Sequence, residues 1–360
     1  MQKKLRCAVV GATGLAGQQF VNALENHPWF EIATLAASEK NKGKRYVDAL
    51  RDHSGKISWF ASASLPSQRI LEIVLEGADS LNLRGIDLIF TAVESDVAAV
   101  LEPMYAEQKP VFSAASFFRY EKDVPLIIPS VNHEHVGLVH TQQSNRGWKG
   151  FVLPIPNCTT TGLVASLKPL QKFGLLKVVM TSLQAVSGAG RSPGVIGLDI
   201  IDNVIPYIPK EEEKVEKEAK KILGTLAGDK IIETKTSFSC TCTRVAVLDG
   251  HTEAVFTSLE TPIEPEEASK LYTSYVVTAV KGLPSTPKEL FKVHPDPFRP
   301  QPRLDRDAND GMTIHIGRLR KDDALKGIKY VVLSHNTKLG AAKGAIWIAE
   351  LCREKGLLSV

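Results

Sequence analysis

Leu5-Arg6-Cys7-Ala8-Val9-Val10-Gly11-Ala12-Thr13-Gly14-Leu15-Ala16-Gly17 is the stretch that decides the fold. Its first six residues form a short apolar run suited to a buried strand. Glycines then break the run, and an amphipathic pattern over 15–26 starts a helix. Glycines at such a turn let backbone approach a pyrophosphate. The helix start adds N–H groups and the positive end of its dipole. The spacing is GxxGxxG rather than the commoner GxGxxG, so the strand–turn–helix context carries more weight than the glycines. It predicts a dinucleotide site using Gly11, Thr13, Gly14, Leu15 and Ala16, against the blander reading of a tight turn.

Working outward, 31–37 and 86–92 read as further strands, 95–108 as a helix, and 110–113 as the start of another strand. Strands separated by helices predict an α/β, doubly wound, Rossmann-type domain with a parallel sheet. The stretch 41–79 gives no clear pattern. At the end of the second strand stand Ser38, Glu39 and Lys40, with Lys42 and Lys44 close behind. An acid here suits the ribose hydroxyls of NAD, whereas Ser38 and the lysines suit a 2′-phosphate. The balance favours NADP, although Glu39 argues the other way.

The pattern changes near residue 150. After an apolar 151–155, Pro156-Asn157-Cys158-Thr159-Thr160-Thr161-Gly162 turns into a helix ending near Pro169. Strands are expected over 178–186, 243–247, 254–259, 312–319 and 329–334, with few helices between them. This predicts an α+β second domain with a mixed sheet. Proline-rich 284–302 reads as an ordered connector, and 340–356 as an apolar helix.

The 360 residues are 43% hydrophobic and 23% charged, with a net charge of +4. That excludes collagen-like and disordered classes and gives no support to nucleic-acid binding. No apolar run approaches the ~20 residues of a membrane span, and the run after the basic MQKKLR is too short for a signal peptide. A cytoplasmic protein with no membrane partner is expected.

Five scattered cysteines do not form a disulfide framework. Cys158 stands apart because it starts a helix, where the dipole and backbone N–H groups favour a thiolate and could hold an oxyanion. His251, in a turn between two expected strands, is the candidate base. Cys240 and Cys242 share one strand face and read as packing. His133 and His135 read as surface residues, and no complete set of metal ligands is evident. The charge run 210–221 reads as a solvated helix whose first turn, Glu211 and Lys214, could face a cleft.

Taken together, these segments resemble the aspartate-semialdehyde dehydrogenase family in its fungal and archaeal branch. The resemblance runs nearly end to end, through Gly11–Gly17, Asp123-Val124-Pro125-Leu126, Asn157-Cys158-Thr159, Gln184–Gly190, 198–207, 244–251, 299–307 and Ser334-His335-Asn336-Thr337 with Gly340-Ala341-Ala342. It implies an NADP(H)-dependent, metal-free enzyme of amino-acid biosynthesis that interconverts 4-phospho-aspartate and aspartate semialdehyde. Cys158 would be the nucleophile, His251 the acid/base and Gln184 the group orienting the acyl intermediate. Arg244 would bind the substrate carboxylate and Glu211 its amino group. Arg119, Lys214 and Asn157 would bind phosphate. Ser38, Lys40, Ser187 and Gly188 would serve the cofactor, and Asn336 would lie near the nicotinamide. It further implies a homodimer or homotetramer, with small molecules as the other partners. The domains would be 1–155 plus 336–360, the C-terminal helix returning to the nucleotide domain, and 156–335.

Several positions depart from that pattern: Ala114, Phe117-Phe118, Arg191, Lys210 and Ala246. They flank the substrate positions and leave room for a paralogue using a related acyl phosphate or an acyl-CoA such as malonyl-CoA. Glu211 and Lys214 favour the amino-acid acyl phosphate. A catalytically silent nucleotide-binding regulator is disfavoured by the intact Cys158, Gln184, Arg244 and His251 set.

Overall fold

The computed structural model describes residues 3–190, 195 and 197–358; Arg191 lies outside them. The chain divides into two compact units. One comprises Met1–Pro125, Val136–Ile155 and Ala342–Val360; the other comprises Leu126–His135 and Pro156–Ala341. Compared with the division expected from sequence, Leu126–His135 joins the second unit and the return begins at Ala342 instead of 336.

The first unit is built on six strands, β1 (Leu5–Val10), β2 (Phe30–Ala37), β3 (Glu76–Gly77), β4 (Leu88–Thr91), β5 (Val111–Ser113) and β6 (Val152–Pro154). All pair in parallel, in the order β3-β2-β1-β4-β5-β6. That order reverses direction at β1/β4, the doubly wound arrangement in which ligands gather at the strand ends beside the switch. Helix α1 (Leu15–Leu24) follows β1, and α2 (Ser95–Ala106) follows β4. The helix Lys343–Glu354 belongs to this unit, with His27 Nε2 2.8 Å from Glu350 Oε1 and Arg353 Nη1 donating to the Trp29 carbonyl at 3.0 Å.

The turn between β1 and α1 has little room for side chains. Gly11 has φ of 80°, and a Cβ there would meet the Ala92 carbonyl; a Cβ on Gly17 would meet the carbonyl of Gly11. Tyr46 Oη donates to the Ala12 carbonyl at 2.8 Å and Gln18 Nε2 to that of Thr13 at 3.2 Å, so the turn is held from both sides.

The second unit carries a mixed six-stranded sheet and a small hairpin. Its strands are β7 (Leu175–Gln184), the hairpin β8 (Thr225–Ala227) and β9 (Lys230–Ile232), then β10 (Ser237–Arg244), β11 (His251–Leu259), β12 (Phe291–Val293), β13 (Ile314–Asp322) and β14 (Gly327–Ser334). The large sheet runs β10-β7-β11-β14-β13-β12, with β10/β7 and β12/β13 parallel and the rest antiparallel. Helices α3 (Cys158–Leu167) and α4 (Glu211–Ile222) belong to this unit.

Four sequence expectations are corrected here. The strand expected over 243–247 is Ser237–Arg244. Residues 245–248 leave the sheet, and the carbonyls of Val247 and Leu248 accept from Val186 and Ser187. His251 is the first residue of β11 rather than a turn residue; the turn is made by Gly250, with φ of 95°. His135 is buried, not superficial: it pairs with the Asn132 side chain at 2.9 Å and the Gly224 carbonyl at 3.2 Å.

The fourth correction concerns the charged helix, which does more than face water. Glu216 and Glu212 accept from the backbone amides of Cys240 and Cys242, at 3.0 and 2.9 Å. These amides belong to edge strand β10, so the acids of α4 satisfy an edge that would otherwise invite pairing. The thiols of Cys240 and Cys242 are buried, as packing residues should be.

Candidate active site

Four strand ends assemble most of the site. β10 and β7 are parallel, and Arg244 pairs with Gln184 at their last positions. β11 runs the other way and begins at that same end with His251, which pairs with Ser334, the last residue of β14. Arg244, Gln184, His251 and the segment from Ser334 to Asn336 are therefore delivered together by strand direction and register alone.

Helix α3 supplies the thiol. Asn157 is its N-cap; Oδ1 accepts from the Thr159 and Thr160 amides at 2.9 and 3.2 Å, the arrangement that stabilises a helix start. The next residue, Cys158, has its Sγ 3.2 Å from His251 Nε2. Gly340 closes on the same residue: a Cβ at 340 would lie 2.8 Å from that of Cys158.

The imidazole has a defined proton position. Its Nδ1 accepts from the Ala185 amide at 3.1 Å, so the proton of the neutral ring is on Nε2, facing sulfur. Burial, with Arg244 and His335 adding positive charge, pushes His251 down to about 3. A neutral ring donating from Nε2 makes the sulfur an acceptor, as a thiolate requires. Arg244 stands beside it, buried, with Nη1 donating to the Ala185 carbonyl at 2.8 Å. A Cβ on Gly188 would lie 2.9 Å from that Nη1 and 3.2 Å from His251 Cε1, so a larger residue there would press on both side chains.

The remaining residues expected from sequence fall around this pair or in the other unit. Gln184 is buried and donates to Ser182 Oγ at 3.2 Å. Glu211, the first residue of α4, accepts from Asn157 Nδ2 at 2.8 Å and lies 3.8 Å from Lys214 Nζ. Lys210 before it has φ of 59°, a left-handed conformation costing a non-glycine residue about 1 kcal/mol. Asn336 accepts from the Gly250 amide and donates to Ser187 Oγ, both at 2.8 Å, tying the residue before His251 to the glycine loop. In the first unit, Arg119 is buried and donates to the Ala114 carbonyl at 3.3 Å. Ser38 and Lys40 are exposed beyond β2, while Glu39 is held by Lys42 at 3.2 Å.

The amide of Ala185 and the bridging role of Asn336 are the contributions that residue type could not reveal. The first is a backbone group with no side-chain signature. The second depends on two loops meeting.

A thiol at a helix start, paired to a neutral buried imidazole in a chain that also carries a doubly wound unit, defines an oxidoreductase of the semialdehyde dehydrogenase class. The semialdehyde dehydrogenase NAD binding domain matches residues 6–139, and the semialdehyde dehydrogenase dimerisation domain matches 167–339. Aspartate-semialdehyde dehydrogenase of Archaeoglobus fulgidus is 46% identical over 345 residues, covering 95% of this chain and 96% of that protein. The Candida albicans enzyme is 42% identical over 369 residues, covering 98% of this chain and 99% of that protein. A crystal structure of aspartate semialdehyde dehydrogenase with NADP from Candida albicans superposes with a TM-score of 0.88 at 40% identity, covering 98% of this chain and all of that one. A Vibrio cholerae structure, aspartate semialdehyde dehydrogenase II complexed with ASA, gives 0.75 at 25% identity, covering 98% of this chain and 99% of that one. The chain belongs to the aspartate-semialdehyde dehydrogenase family. No helix among the described residues is long and apolar enough to cross a membrane.

Proposed function

We propose that this chain reduces 4-phospho-aspartate to aspartate semialdehyde, reversibly, with NADPH and through a thioester on Cys158. The observation that carries the reading is the 3.2 Å contact between Cys158 Sγ and a ring whose other nitrogen is committed to Ala185.

The Cys158 sulfur attacks the acyl carbon, and the C–O bond to phosphate breaks as the C–S bond forms. The oxygen that gains charge does so beside the N-terminus of α3, where the helix dipole favours it, while the Thr159 and Thr160 amides stay on Asn157 Oδ1. Covalent capture divides one difficult displacement into two easier steps. The reduced nicotinamide, when bound, supplies hydride. Collapse of the resulting tetrahedral adduct breaks the C–S bond and returns the sulfur as a thiolate, which the His251 Nε2–H stabilises by a hydrogen bond. Arg244 offers a planar guanidinium for the substrate carboxylate. Glu211 is suited to its ammonium group, Gln184 to the acyl oxygen, and Lys214 and Asn157 to phosphate.

The first unit fits NADP. The turn at Gly11 and Gly17 is a cradle that any Cβ would fill, and the first turn of α1 carries no acid to repel a pyrophosphate. Lys42 neutralises Glu39, the residue that would otherwise disfavour a 2′-phosphate. Ser38 and Lys40 are then the groups that meet it. In a steady-state assay with aspartate semialdehyde and phosphate, NADP should support at least ten times the kcat/KM of NAD. Lys40→Glu should remove most of that preference by raising the KM for NADP. Turnover without phosphate, or a preference for NAD, would overturn the reading.

The large sheet of the second unit keeps one face open, with Val179 and Leu183 exposed on β7 and Ala254 and Phe256 half-buried beside them on β11. In a domain matched as a dimerisation domain, a second copy of this chain is the occupant that fits. Val179→Asp/Leu183→Asp should shift the mass in solution to that of a monomer. An unchanged oligomer by light scattering would count against this face.

A further inference from the structure

Away from the thiol, the second unit brings together His294, Asp305 and His315. His294 follows β12, His315 lies on β13, and Asp305 ends the short helix Pro302–Asp305. Asp305 and His315 are buried. His294 forms part of the wall of a cavity of about 500 Å³, together with Glu266, Thr273, Arg318 and Arg320.

The spacing of the three ligand atoms is informative. His294 Nε2 and His315 Nδ1 are 2.9 Å apart, and Asp305 Oδ1 is 3.8 Å from the first and 4.0 Å from the second. A triangle with these sides has a circumradius of about 2.1 Å, which is a zinc–imidazole or zinc–carboxylate bond length. One point lies at bonding distance from all three atoms, and a cation there would replace the proton of the hydrogen bond that now joins the two imidazoles.

The surroundings fix the same arrangement. Arg299 Nε donates to Asp305 Oδ2 at 2.7 Å, Nη2 donates to Oδ1, and the Gln301 amide donates to Oδ2 at 2.7 Å. Orientation of a ligand carboxylate by such outer contacts is usual in metal sites. Burial works to raise the Asp305 carboxyl, but Arg299 and the Gln301 amide take it down to about 2. Burial pushes His315 down to about 4 and lowers His294 as well.

We propose that His294, Asp305 and His315 form a site for a single borderline divalent cation, Zn²⁺ foremost, with its fourth position open to the cavity beside β13. Two imidazoles and one carboxylate suit zinc and its neighbours better than magnesium or calcium. The site also has a place in the scaffold. Arg306, one residue past Asp305, donates to the Asp249 carbonyl at 3.1 Å, and Pro302 and Arg306 pack on Gly250, the residue before His251. A cation here fastens the helix that backs the start of β11.

The test uses the full chain carrying Cys158→Ser, which removes the thiol–imidazole pair as a competing site. Titration with Co²⁺ followed by visible absorption, and with Zn²⁺ by calorimetry, should each give one equivalent per chain. Zn²⁺ should raise the thermal midpoint. His294→Gln should weaken binding at least 100-fold and abolish that rise, and Arg299→Lys should weaken it about tenfold. His294→Cys should retain one equivalent and add a sulfur-to-cobalt charge-transfer band, which keeps the test informative if His294→Gln does not fold. Failure to bind either metal stoichiometrically, binding indifferent to His294→Gln, or a His294→Cys protein without the new band would each overturn the proposal.

Discussion

Replacing Cys158 with alanine is expected to lower turnover by about 10⁵-fold, because removing a covalent nucleophile forfeits the whole two-step route. NADPH binding should persist, since the glycine turn lies on β1 and α1, elements that Cys158 does not help build. The fold should persist as well: Asn157 still caps α3 through its own side chain. Rapid quench with the acyl phosphate should trap a protein adduct in the parent and none in the variant. Turnover within tenfold of the parent would exclude the thioester.

His251→Gln should lower kcat by about 10²- to 10³-fold, the range for disturbing one fixed hydrogen-bond donor to a developing charge, and should alter the dependence of stability on pH. In the folded chain the ring is pushed down to about 3 by burial and by the positive charge of Arg244 and His335. Unfolded, it takes up a proton near pH 6.5. Between those values the unfolded chain holds the extra proton. Stability due to this group is present above pH 6.5 and is lost as pH falls toward 3, by about 1.4 kcal/mol per pH unit at most. The variant lacks this penalty, so denaturation at pH 7 and pH 5 should show a smaller loss than in the parent. Equal losses would mean that the ring is not held neutral. By the same reasoning, the acid limb of kcat should lie well below pH 6.

Much of this molecule was legible in the sequence where a physical pattern was local. The strand–turn–helix at 5–24 announced itself because glycines, period and helix start fall in consecutive residues. Cys158 was legible because a helix start changes a thiol whatever surrounds it. Reading failed where neighbours come from elsewhere. Cys240 and Cys242 could be placed on a strand face, but nothing local showed that carboxylates of α4 would satisfy the amides of that strand. His135 looked superficial because its partner is the carbonyl of Gly224, far along the chain. The trio of His294, Asp305 and His315 has gaps of eleven and ten residues, which match no familiar ligand spacing. The roles implied by family resemblance for Glu211 and Asn157 could not show that these two side chains bond to each other.

The interleaving of the two units bears on how such a gene can be recombined. The ten residues Leu126–His135 are encoded ahead of part of the nucleotide-binding unit yet fold with the catalytic one, and Ala342–Val360 does the reverse. A cassette spanning 156–341 would leave Gly224 without the imidazole that caps its carbonyl and would expose the seat of Asn132. Neither half is a portable module, so chimaeras with relatives should succeed only when their crossovers carry the short inserted segments along with the unit they complete.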